Sequence, residues 1–434
     1  MNKVIERAER GLEGEVLIPG DKSVSHRSVM LSGLSNGTVH ITHFLRAEDC
    51  LSTARGMEML GAKIKHNDDG SIDVTGCGIH GMMEPCGIID AGDSGTMLRL
   101  MIGMLAPQPF LTTFTGDAAL YRRPMGRVIV PLTEMGAQIV GRDGNRLLPI
   151  TIIPAKKKLH GITYKMPVAS AQLKSSLLLA GMYAEGETTV IDPGMSRDHT
   201  ERMMKAFGVN LKIDGNSVTI GAVDELKAPE TMAVPGDISS AAFWMVAASI
   251  IENSDVLLKN VGVNVTRTGI IDILREMGAD ITIFDKHESG GEPIADIRVR
   301  SSRLHGVSFG KEIMPRLIDE IPIIAVAAMF ADGDTTITGA GELRVKETDR
   351  LHAVATEFNK FADCIDELDD GLVIHGQGKS PRLSHATCKS YDDHRISMSL
   401  AILGAAGDGV EIEHADCVNI SYPTFFDTLE NIRK

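Results

Sequence analysis

The sequence is poor in aromatic residues and in positive charge. Aromatic side chains make up 4% of its 434 residues, with a single tryptophan, and 58 acidic residues outnumber 44 lysines and arginines. The formal net charge of −14 argues against a dedicated nucleic-acid-binding protein, which needs surplus basic residues. The scarcity of aromatics argues against a platform for base stacking. A local cluster of cations can still bind an anionic substrate within an acidic protein.

Long apolar runs and paired cysteines are also missing. The longest apolar runs, 241–251 and 321–331, are shorter than the roughly 18–20 residues that span a bilayer. The charged first ten residues do not resemble a signal peptide. The six cysteines form no CxxC pair, and none stands at zinc-finger spacing to a histidine. We therefore expect buried free thiols, no metal site and a cytoplasmic protein without membrane contact.

Glycine signals recur along the chain. Gly37, Gly186, Gly333 and Gly407 each precede a strand-like segment at multiples of roughly 74 residues. A second series has the pattern of a helix end, a glycine C-cap and a strand, and it contains glycines 61, 136, 208 and 278. Each copy therefore predicts a helix, a glycine turn, a strand, a second helix, a glycine and a strand. Six copies account for the whole chain.

A coarser repeat divides the chain into two halves. The tripeptide Pro-Gly-Asp occurs at residues 19–21 and again at 235–237. Each turn predicts a helix start capped by aspartate or serine. We expect one domain over 21–235 and a second over 236–434 that also contains residues 1–20, each with three units. Helices such as the one predicted near 177–184 are apolar nearly all round, which predicts that they are buried.

The first Pro-Gly-Asp turn opens a candidate anion site. Free backbone N–H groups at a helix start attract phosphate or carboxylate groups, and Lys22, Ser23 and Arg27 add cations and a hydroxyl group. An ordinary capped helix with solvated charges is the alternative. We interpret His26 as a structural residue.

Three further segments carry similar chemistry. Gly95 opens a second predicted helix, and residues 121–127 hold three arginines, whose planar guanidinium groups suit bidentate contacts with anions. Residues 170–174 precede an apolar helix, and residues 196–200 are comparable but form no catalytic triad. A plain helix start, a basic surface loop and routine capping remain the alternatives.

Acidic and ionic residues cluster in the second half. Asp319 and Glu320 stand directly before a predicted buried helix, either as acids favoured by the helix dipole or as a general base. Residues 344–350 form the densest ionic segment; in a helix, Lys346 and Arg350 would share one face. Residues 391–395 are similarly dense and open a helix of small residues.

Taken together, the chain resembles the enolpyruvyl transferase family. The matching segments run in order: LIPGDKSVSHR, DSGTMLR, RRPMGR, SAQLKSS, SRDHTE, PGDISSAAF, DEIP, ELRVKETDRL and DDHRISM. They cover residues 17–398. The resemblance implies an α/β (α+β) fold of the inside-out barrel type, with two domains, each of three βαβαββ units with buried helices, and an active site in the cleft between them.

The resemblance also implies a reaction and a set of roles. The enolpyruvyl group of phosphoenolpyruvate would pass to the 5-hydroxyl of shikimate 3-phosphate in the shikimate pathway, with glyphosate as an inhibitor and no cofactor or metal. The implied catalytic residues are Asp319, Glu347 and Lys22. The residues implied to bind phosphoenolpyruvate are Lys22, Gly95, Arg123, Gln172, Arg350 and Arg395. The residues implied to bind shikimate 3-phosphate are Lys22, Ser23, Arg27, Ser170, Gln172, Ser196, Arg197, Asp319 and Lys346. A monomer is expected.

Two alternatives are kept for comparison. The enolpyruvyl transferase that acts on UDP-N-acetylglucosamine carries a cysteine near the position of residues 121–127, whereas this chain has no cysteine between 87 and 363. A non-catalytic protein with two lobes that binds a phosphate ligand would need the cations but not the acids. One departure from the family is the segment 417–423, which lacks the lysine that many members have there.

Overall fold

The structure is a computed structural model that describes residues 1–433. The chain forms two compact units. The N-terminal unit comprises Gly20–Pro235 with Glu288–Glu292, and the C-terminal unit comprises Met1–Pro19, Gly236–His287 and Pro293–Lys434. Both contain helices and sheets, so the predicted α/β class is confirmed. The strands form six separate sheets, with no closed barrel among residues 1–433.

The N-terminal unit contains three four-stranded sheets with one shared topology. In each, the first strand lies parallel to the second, and the remaining two strands are antiparallel. Their members, in spatial order, are Thr231–Ala233, Thr38–Thr42, Ile72–Thr75 and Lys63–His66; Ile89–Asp90, Thr112–Thr115, Leu147–Ile153 and Gln138–Gly141; and Thr163–Lys165, Thr188–Ile191, Ser217–Ile220 and Lys212–Asp214.

The C-terminal unit repeats this topology in two sheets and a shorter version of it in the third. The strands are Glu13–Leu17, Asp255–Gly262, Glu292–Arg300 and Asp280–Ser289; Ser308–Phe309, Asp332–Ile337, Gly371–Gln377 and Ile365–Leu368; and Ala386–Lys389, Val410–Glu413 and Lys3–Ile5. A strand precedes each Pro-Gly-Asp turn and is the outer strand of its sheet. After the turn, the chain leaves the unit to which this strand belongs. Glu13–Leu17 and Thr231–Ala233 therefore have equivalent positions in the two units.

Six helices are buried nearly all round, which confirms the prediction from their small and apolar residues. They are Lys22–Leu34, Gly95–Leu105, Ala171–Gly181, Ile238–Ile250, Ile321–Met329 and His394–Ala406. Aspartate or serine caps five of them through its side chain, as predicted for the two Pro-Gly-Asp turns.

Six further helices alternate with the buried ones along the chain and bury one face. They are Glu48–Met59, Gly126–Glu134, His199–Ala206, Gly269–Glu276, Arg350–Phe358 and Phe425–Ile432. Short helical turns complete the set: Leu120–Arg122, Arg142–Asn145, Met314–Leu317, Ile318–Glu320, Gly341–Val345 and Ala415–Ile420. Within residues 1–433, no helix has the length and apolar character needed to cross a membrane.

Two expectations need correction. The ionic segment 344–350 is not one helix: a helical turn ends at Val345, and the next helix begins at Arg350 with Asp349 as its cap. The cysteines are all free, but only four are buried, because Cys77 is half-buried and Cys86 is exposed. Neither of these two packs fully into the core, since both lie in the irregular segment after Ile72–Thr75.

Candidate active site

In the C-terminal unit, five of the predicted site residues form one contact network with the guanidinium of Arg350 at its centre. Arg350 Nη1 donates to Asp319 Oδ1 at 3.3 Å, and Nη2 donates to Glu347 Oε2 at 2.7 Å. Lys346 Nζ donates to the same Oδ1 of Asp319 at 3.3 Å. Arg395 Nη1 donates to the backbone carbonyl of Asp319 at 3.1 Å. Two acids and three cations therefore meet within one contact network.

Helix starts position these side chains. Asp319 lies in the helical turn Ile318–Glu320, directly before the buried helix Ile321–Met329, as the sequence predicts. Arg350 and Arg395 stand in the first turn of their helices. Lys346 and Arg350 both donate to the carboxylate of Asp319. The two cations are therefore close, as predicted, because they share an acceptor and not because they lie on one helix.

Arg350 is 1% exposed and keeps its charge through its neighbours. Burial acts to lower the pKa of Arg350, but the charges of Asp393, Glu347 and Asp319 together raise it above its ordinary value. The Arg350 guanidinium is therefore a permanently charged group held among three carboxylates.

In the N-terminal unit, Arg27 is held by its neighbours and keeps donors to spare. Its Nε donates to Thr200 Oγ1 at 2.7 Å, Nη1 donates to the Ser23 carbonyl at 2.9 Å, and Nη2 donates to Ser175 Oγ at 2.9 Å. A guanidinium has five N–H groups, and the contacts with residues 1–433 use three of them. One N–H on each terminal nitrogen therefore remains for a further acceptor. Two such donors suit a bidentate contact with phosphate or carboxylate. Burial lowers the pKa of Arg27 to about 10, which leaves it charged at neutral pH.

Gly95, Gln172 and Arg123 form a second local group. Arg99 Nη1 donates to Gln172 Oε1 at 3.0 Å and reaches the Gly95 carbonyl at 3.4 Å. Gln172 Nε2 donates to Thr96 Oγ1 at 3.0 Å. A Cβ atom at Gly95 would lie 3.2 Å from Cζ and Nη2 of Arg123. The glycine therefore lets two arginine side chains approach the start of the helix.

The remaining predicted residues of this unit are held by acids and caps. Lys22 pairs with Asp49. Ser170 caps Ala171–Gly181 by accepting from the backbone N–H of Leu173. Ser196 donates through Oγ to Asp192, and its carbonyl accepts from Lys174 Nζ at 3.3 Å. The charge of Arg197 is among the influences on the pKa of Arg27, after burial and the acids around it.

His26 lies in this unit without a catalytic geometry. Its Nδ1 contacts Thr53 Oγ1 at 2.6 Å and its Nε2 lies 3.4 Å from Ser94 Oγ. The ring is fully buried, and this burial lowers its pKa to about 3. A neutral histidine satisfied by two hydroxyl groups agrees with the structural role that the sequence suggested.

Sequence reasoning missed several of the contact residues, and three charged ones illustrate this. Asp393 accepts from Arg350, Asp49 pairs with Lys22, and Arg99 contacts Gln172. Asp393 and Arg99 lie within segments that the sequence had marked, whereas nothing in the sequence marked Asp49. Among residues 1–433, no cluster of three or more His, Cys, Asp or Glu residues could hold a metal ion.

Comparisons with known proteins agree along the whole chain. The sequence model of EPSP synthase (3-phosphoshikimate 1-carboxyvinyltransferase) matches residues 7–429. The 3-phosphoshikimate 1-carboxyvinyltransferase of Desulforudis audaxviator (strain MP104C) is 52% identical over 425 residues, covering 98% of each chain. That of Pelobacter propionicus (strain DSM 2379 / NBRC 103807 / OttBd1) is 47% identical, covering 100% of this chain and 99% of the relative.

A solved structure shares the fold as well. EPSP synthase from Acinetobacter baumannii superposes with a TM-score of 0.90 at 42% identity, covering 99% of this chain and 98% of the other. Full-length identity of this order, together with the ordered motifs, leaves no room for a different family. The chain therefore belongs to the EPSP synthase (3-phosphoshikimate 1-carboxyvinyltransferase) family.

Proposed function

We propose that this protein transfers the enolpyruvyl group of phosphoenolpyruvate to the 5-hydroxyl of shikimate 3-phosphate and releases phosphate. The single observation that carries the proposal is the contact of Arg350 with both Asp319 and Glu347. It brings a buried cation and two carboxylates together, as a reaction with anionic substrates and two proton transfers requires. The relatives named for this reaction support the choice of substrates.

In the first step, the carboxylate of Asp319 takes the proton of the 5-hydroxyl of shikimate 3-phosphate. The hydroxyl oxygen attacks C2 of phosphoenolpyruvate at the same time. The methylene carbon C3 accepts a proton from Glu347, which acts here in its protonated form once Arg350 is engaged by substrate, with Lys22 as a second candidate for this role. This gives a tetrahedral adduct. In the second step, C3 returns a proton and the bond between C2 and the phosphate oxygen breaks. The proton from C3 returns to Glu347, and the departing phosphate takes the proton that Asp319 removed from the 5-hydroxyl. The enolpyruvyl product and inorganic phosphate leave, and both side chains regain their starting protonation states.

Arg350 couples binding to this chemistry in our proposal. Without substrate, its guanidinium holds both Asp319 and Glu347. A phosphoenolpyruvate anion that binds Arg350 competes with the two carboxylates for its N–H groups. Binding therefore loosens the hold on the acid and the base at the moment when they are needed.

The other cations divide between the two substrates. We propose that Arg395, Arg123 and Lys22 hold phosphoenolpyruvate, beside Gly95 and Gln172. The residues proposed to hold shikimate 3-phosphate are Lys22, Ser23, Arg27, Ser170, Gln172, Ser196, Arg197, Asp319 and Lys346. We also propose that the chain has one domain over residues 21–235 and a second over residues 1–20 and 236–434, with three repeats in each.

Phosphate release tests the reaction directly. We expect release that depends on both phosphoenolpyruvate and shikimate 3-phosphate, at a turnover of about 1 per second or more. UDP-N-acetylglucosamine in place of shikimate 3-phosphate should give none. Release with the sugar nucleotide alone would favour the rival transferase, and no release from folded protein would leave the binding-protein alternative.

The role of Asp319 has its own test. Asp319→Asn keeps the shape but loses the base, so kcat should fall by about 100-fold or more, a larger change than that in KM for either substrate. Asp334→Asn removes an exposed carboxylate that pairs with His375 and is the matched control. Unchanged turnover in Asp319→Asn would contradict the assignment of Asp319 as the base.

We further propose that the protein works as a monomer in the cytoplasm. Six free cysteines, four of them buried, suit a reducing compartment. Light scattering on the purified protein should give a mass near 46.7 kDa, and a mass twice as large would contradict the monomer.

A further inference from the structure

Glu320 follows Asp319 in the chain but has a different environment. Its side chain is fully buried, whereas that of Asp319 is 13% exposed. Glu320 occupies the cap position of Ile321–Met329, yet its side chain makes no capping hydrogen bond. A buried acid costs free energy unless charged or hydrogen-bonding groups compensate it. Helix capping does not explain why this acid is buried, so the side chains that contact Glu320 must stabilise it.

The first of these partners belong to a buried polar array at the start of Ile238–Ile250. Ser239 Oγ donates to Glu320 Oε1. Arg267 Nη2 donates to Ser239 Oγ at 2.6 Å and to Asp237 Oδ1 at 3.2 Å. Asp237 in turn accepts from the Ser239 backbone N–H at 2.9 Å. One oxygen of the Glu320 carboxylate, Oε1, is therefore held from the side of the core, whereas Oε2 is buried without a hydrogen-bond partner among residues 1–433.

The second partner is Arg395. Arg395 Nη1 lies 3.9 Å from Glu320 Oε1 and donates to the carbonyl of Asp319 at 3.1 Å. Asp319 and Glu320 thus both hold Nη1 of Arg395, Asp319 by a hydrogen bond and Glu320 by its charge. The backbone N–H of Arg395 is held separately by Asp393 Oδ1 at 2.8 Å. Both ends of the arginine are constrained, and its guanidinium stays beside Asp319.

We propose that Glu320 is a positioning residue, which holds Arg395 in the orientation that binds phosphoenolpyruvate next to Asp319. Ser239 and Arg267 support it by fixing the carboxylate from behind. The inference rests on the proposed function, because it takes Arg395 as a ligand of phosphoenolpyruvate. Glu320 itself touches neither substrate in this account.

The chemistry allows an opposite expectation, which makes the test sharp. A carboxylate beside Arg395 also cancels part of the positive charge that attracts an anion. If cancellation dominated, removing the charge of Glu320 would tighten the binding of phosphoenolpyruvate. If orientation dominates, as we propose, removing it weakens the binding, because the guanidinium is then held by the Asp319 carbonyl alone.

The experiment compares Glu320→Gln, Ser239→Ala and Ser239→Thr with wild type. Glutamine keeps the size and the acceptor for Ser239 but loses the charge, and threonine keeps the hydroxyl that alanine removes. We expect Glu320→Gln and Ser239→Ala to raise KM for phosphoenolpyruvate about tenfold and about threefold, with KM for shikimate 3-phosphate changed less than about twofold. Ser239→Thr keeps the hydroxyl group, so its KM for phosphoenolpyruvate should lie closer to that of wild type than to that of Ser239→Ala.

Ser249→Ala is the matched control. Ser249 is a fully buried serine on the same helix, and its Oγ donates to the Met245 carbonyl at 2.7 Å. This variant should leave both KM values unchanged.

The outcomes separate cleanly. A KM for phosphoenolpyruvate that stays constant or falls in Glu320→Gln overturns the proposal, as do equal losses for both substrates. If Glu320→Gln fails to fold, the pair Ser239→Ala and Ser239→Thr decides by the same criterion. An inactive wild type contradicts the proposed function instead. Calorimetric titration with phosphoenolpyruvate then decides the positioning role, since weaker binding by Glu320→Gln supports it and equal or tighter binding overturns it.

Discussion

Arg350 and Asp393 form a buried ion pair in which Nε donates to Oδ2 at 2.8 Å and Nη2 donates to Oδ1 at 3.4 Å. The two side chains are 1% and 0% exposed. Asp393 also caps His394–Ala406 by accepting from the backbone N–H of Arg395. One carboxylate thus fixes both the guanidinium that holds Asp319 and the start of the helix whose first turn contains Arg395.

Asp393→Asn should destabilise the C-terminal unit by about 3 kcal/mol, because it leaves a buried guanidinium with one counter-charge fewer. Asparagine caps helices as well as aspartate does, so the variant isolates the loss of charge. Trp244 is the single tryptophan and is fully buried in the C-terminal unit, so its fluorescence during denaturation in urea follows this unit.

A control for this prediction is Lys212→Gln, which removes an exposed ion pair with Glu187 in the N-terminal unit. Its urea midpoint should match that of wild type. A midpoint for Asp393→Asn equal to wild type would mean that Asp319 and Glu347 alone neutralise Arg350.

Much of the fold could be predicted from repetition in the sequence. The glycines at 61, 136, 208 and 278 predicted helix ends followed by strands, and all four have positive φ values between 82° and 107°. Small, uniformly apolar segments predicted the buried helices, because such a helix has no polar face to expose to water. These signals are local, which is why a single sequence carries them.

Partners across the chain were harder to predict. Asp393 lies 43 residues from Arg350 and Asp49 lies 27 residues from Lys22, and no local pattern links either pair. The charges in segment 344–350 have the spacing of one helix, yet a helical turn ends at Val345 and Asp349 caps a new helix that starts at Arg350. Which acid pairs with which cation depends on packing between elements, and periodicity contains no information about that.

The stability of the N-terminal unit should decrease in mild acid because of His26. Burial lowers the folded-state pKa of His26 to about 3, whereas an unfolded histidine titrates near 6.5. Between these values the unfolded chain binds the additional proton, so the free energy of unfolding falls as pH falls from about 6.5 towards 3. The slope from this one group is at most about 1.4 kcal/mol per pH unit.

His26→Gln should remove this part of the pH dependence. Urea denaturation followed by circular dichroism at pH 7, 6 and 5 measures it as a flatter profile than that of wild type. His66→Gln, at an exposed position, is the control and should retain the wild-type slope. Parallel profiles for wild type and His26→Gln would mean that His26 does not stay neutral in the folded protein.

Arg27→Lys should weaken the binding of shikimate 3-phosphate in particular. Lysine keeps the charge but cannot donate at once to Thr200, Ser23 and Ser175 and still present two N–H groups to a substrate. Loss of one charge-assisted contact of about 1.5 kcal/mol or more raises KM for shikimate 3-phosphate about tenfold. KM for phosphoenolpyruvate should change little in the same assay. Arg146→Lys, in an exposed pair with Asp143, should change neither constant, and a shift in both constants for Arg27→Lys would contradict a selective role.

Gly95→Ala should impair phosphoenolpyruvate binding without unfolding the protein. The added methyl group would lie 2.6 Å from Arg99 Nη1 and 3.2 Å from the Arg123 guanidinium, so both side chains must move. These atoms are the far ends of flexible side chains, and crowding of this kind costs about 1–3 kcal/mol. If the cost falls on binding, KM for phosphoenolpyruvate rises about tenfold, since about 1.4 kcal/mol is one factor of ten.

Gly221→Ala is the matched control, because a Cβ atom there meets nothing within 4 Å. Both variants should melt within about 4 °C of wild type, and only Gly95→Ala should change KM. A Gly95→Ala enzyme with wild-type KM for phosphoenolpyruvate would contradict the placement of phosphoenolpyruvate beside Gly95 and Arg123. The glycine would then be a feature of the helix start alone, and the assignment of Arg123 to phosphoenolpyruvate would lose its structural support.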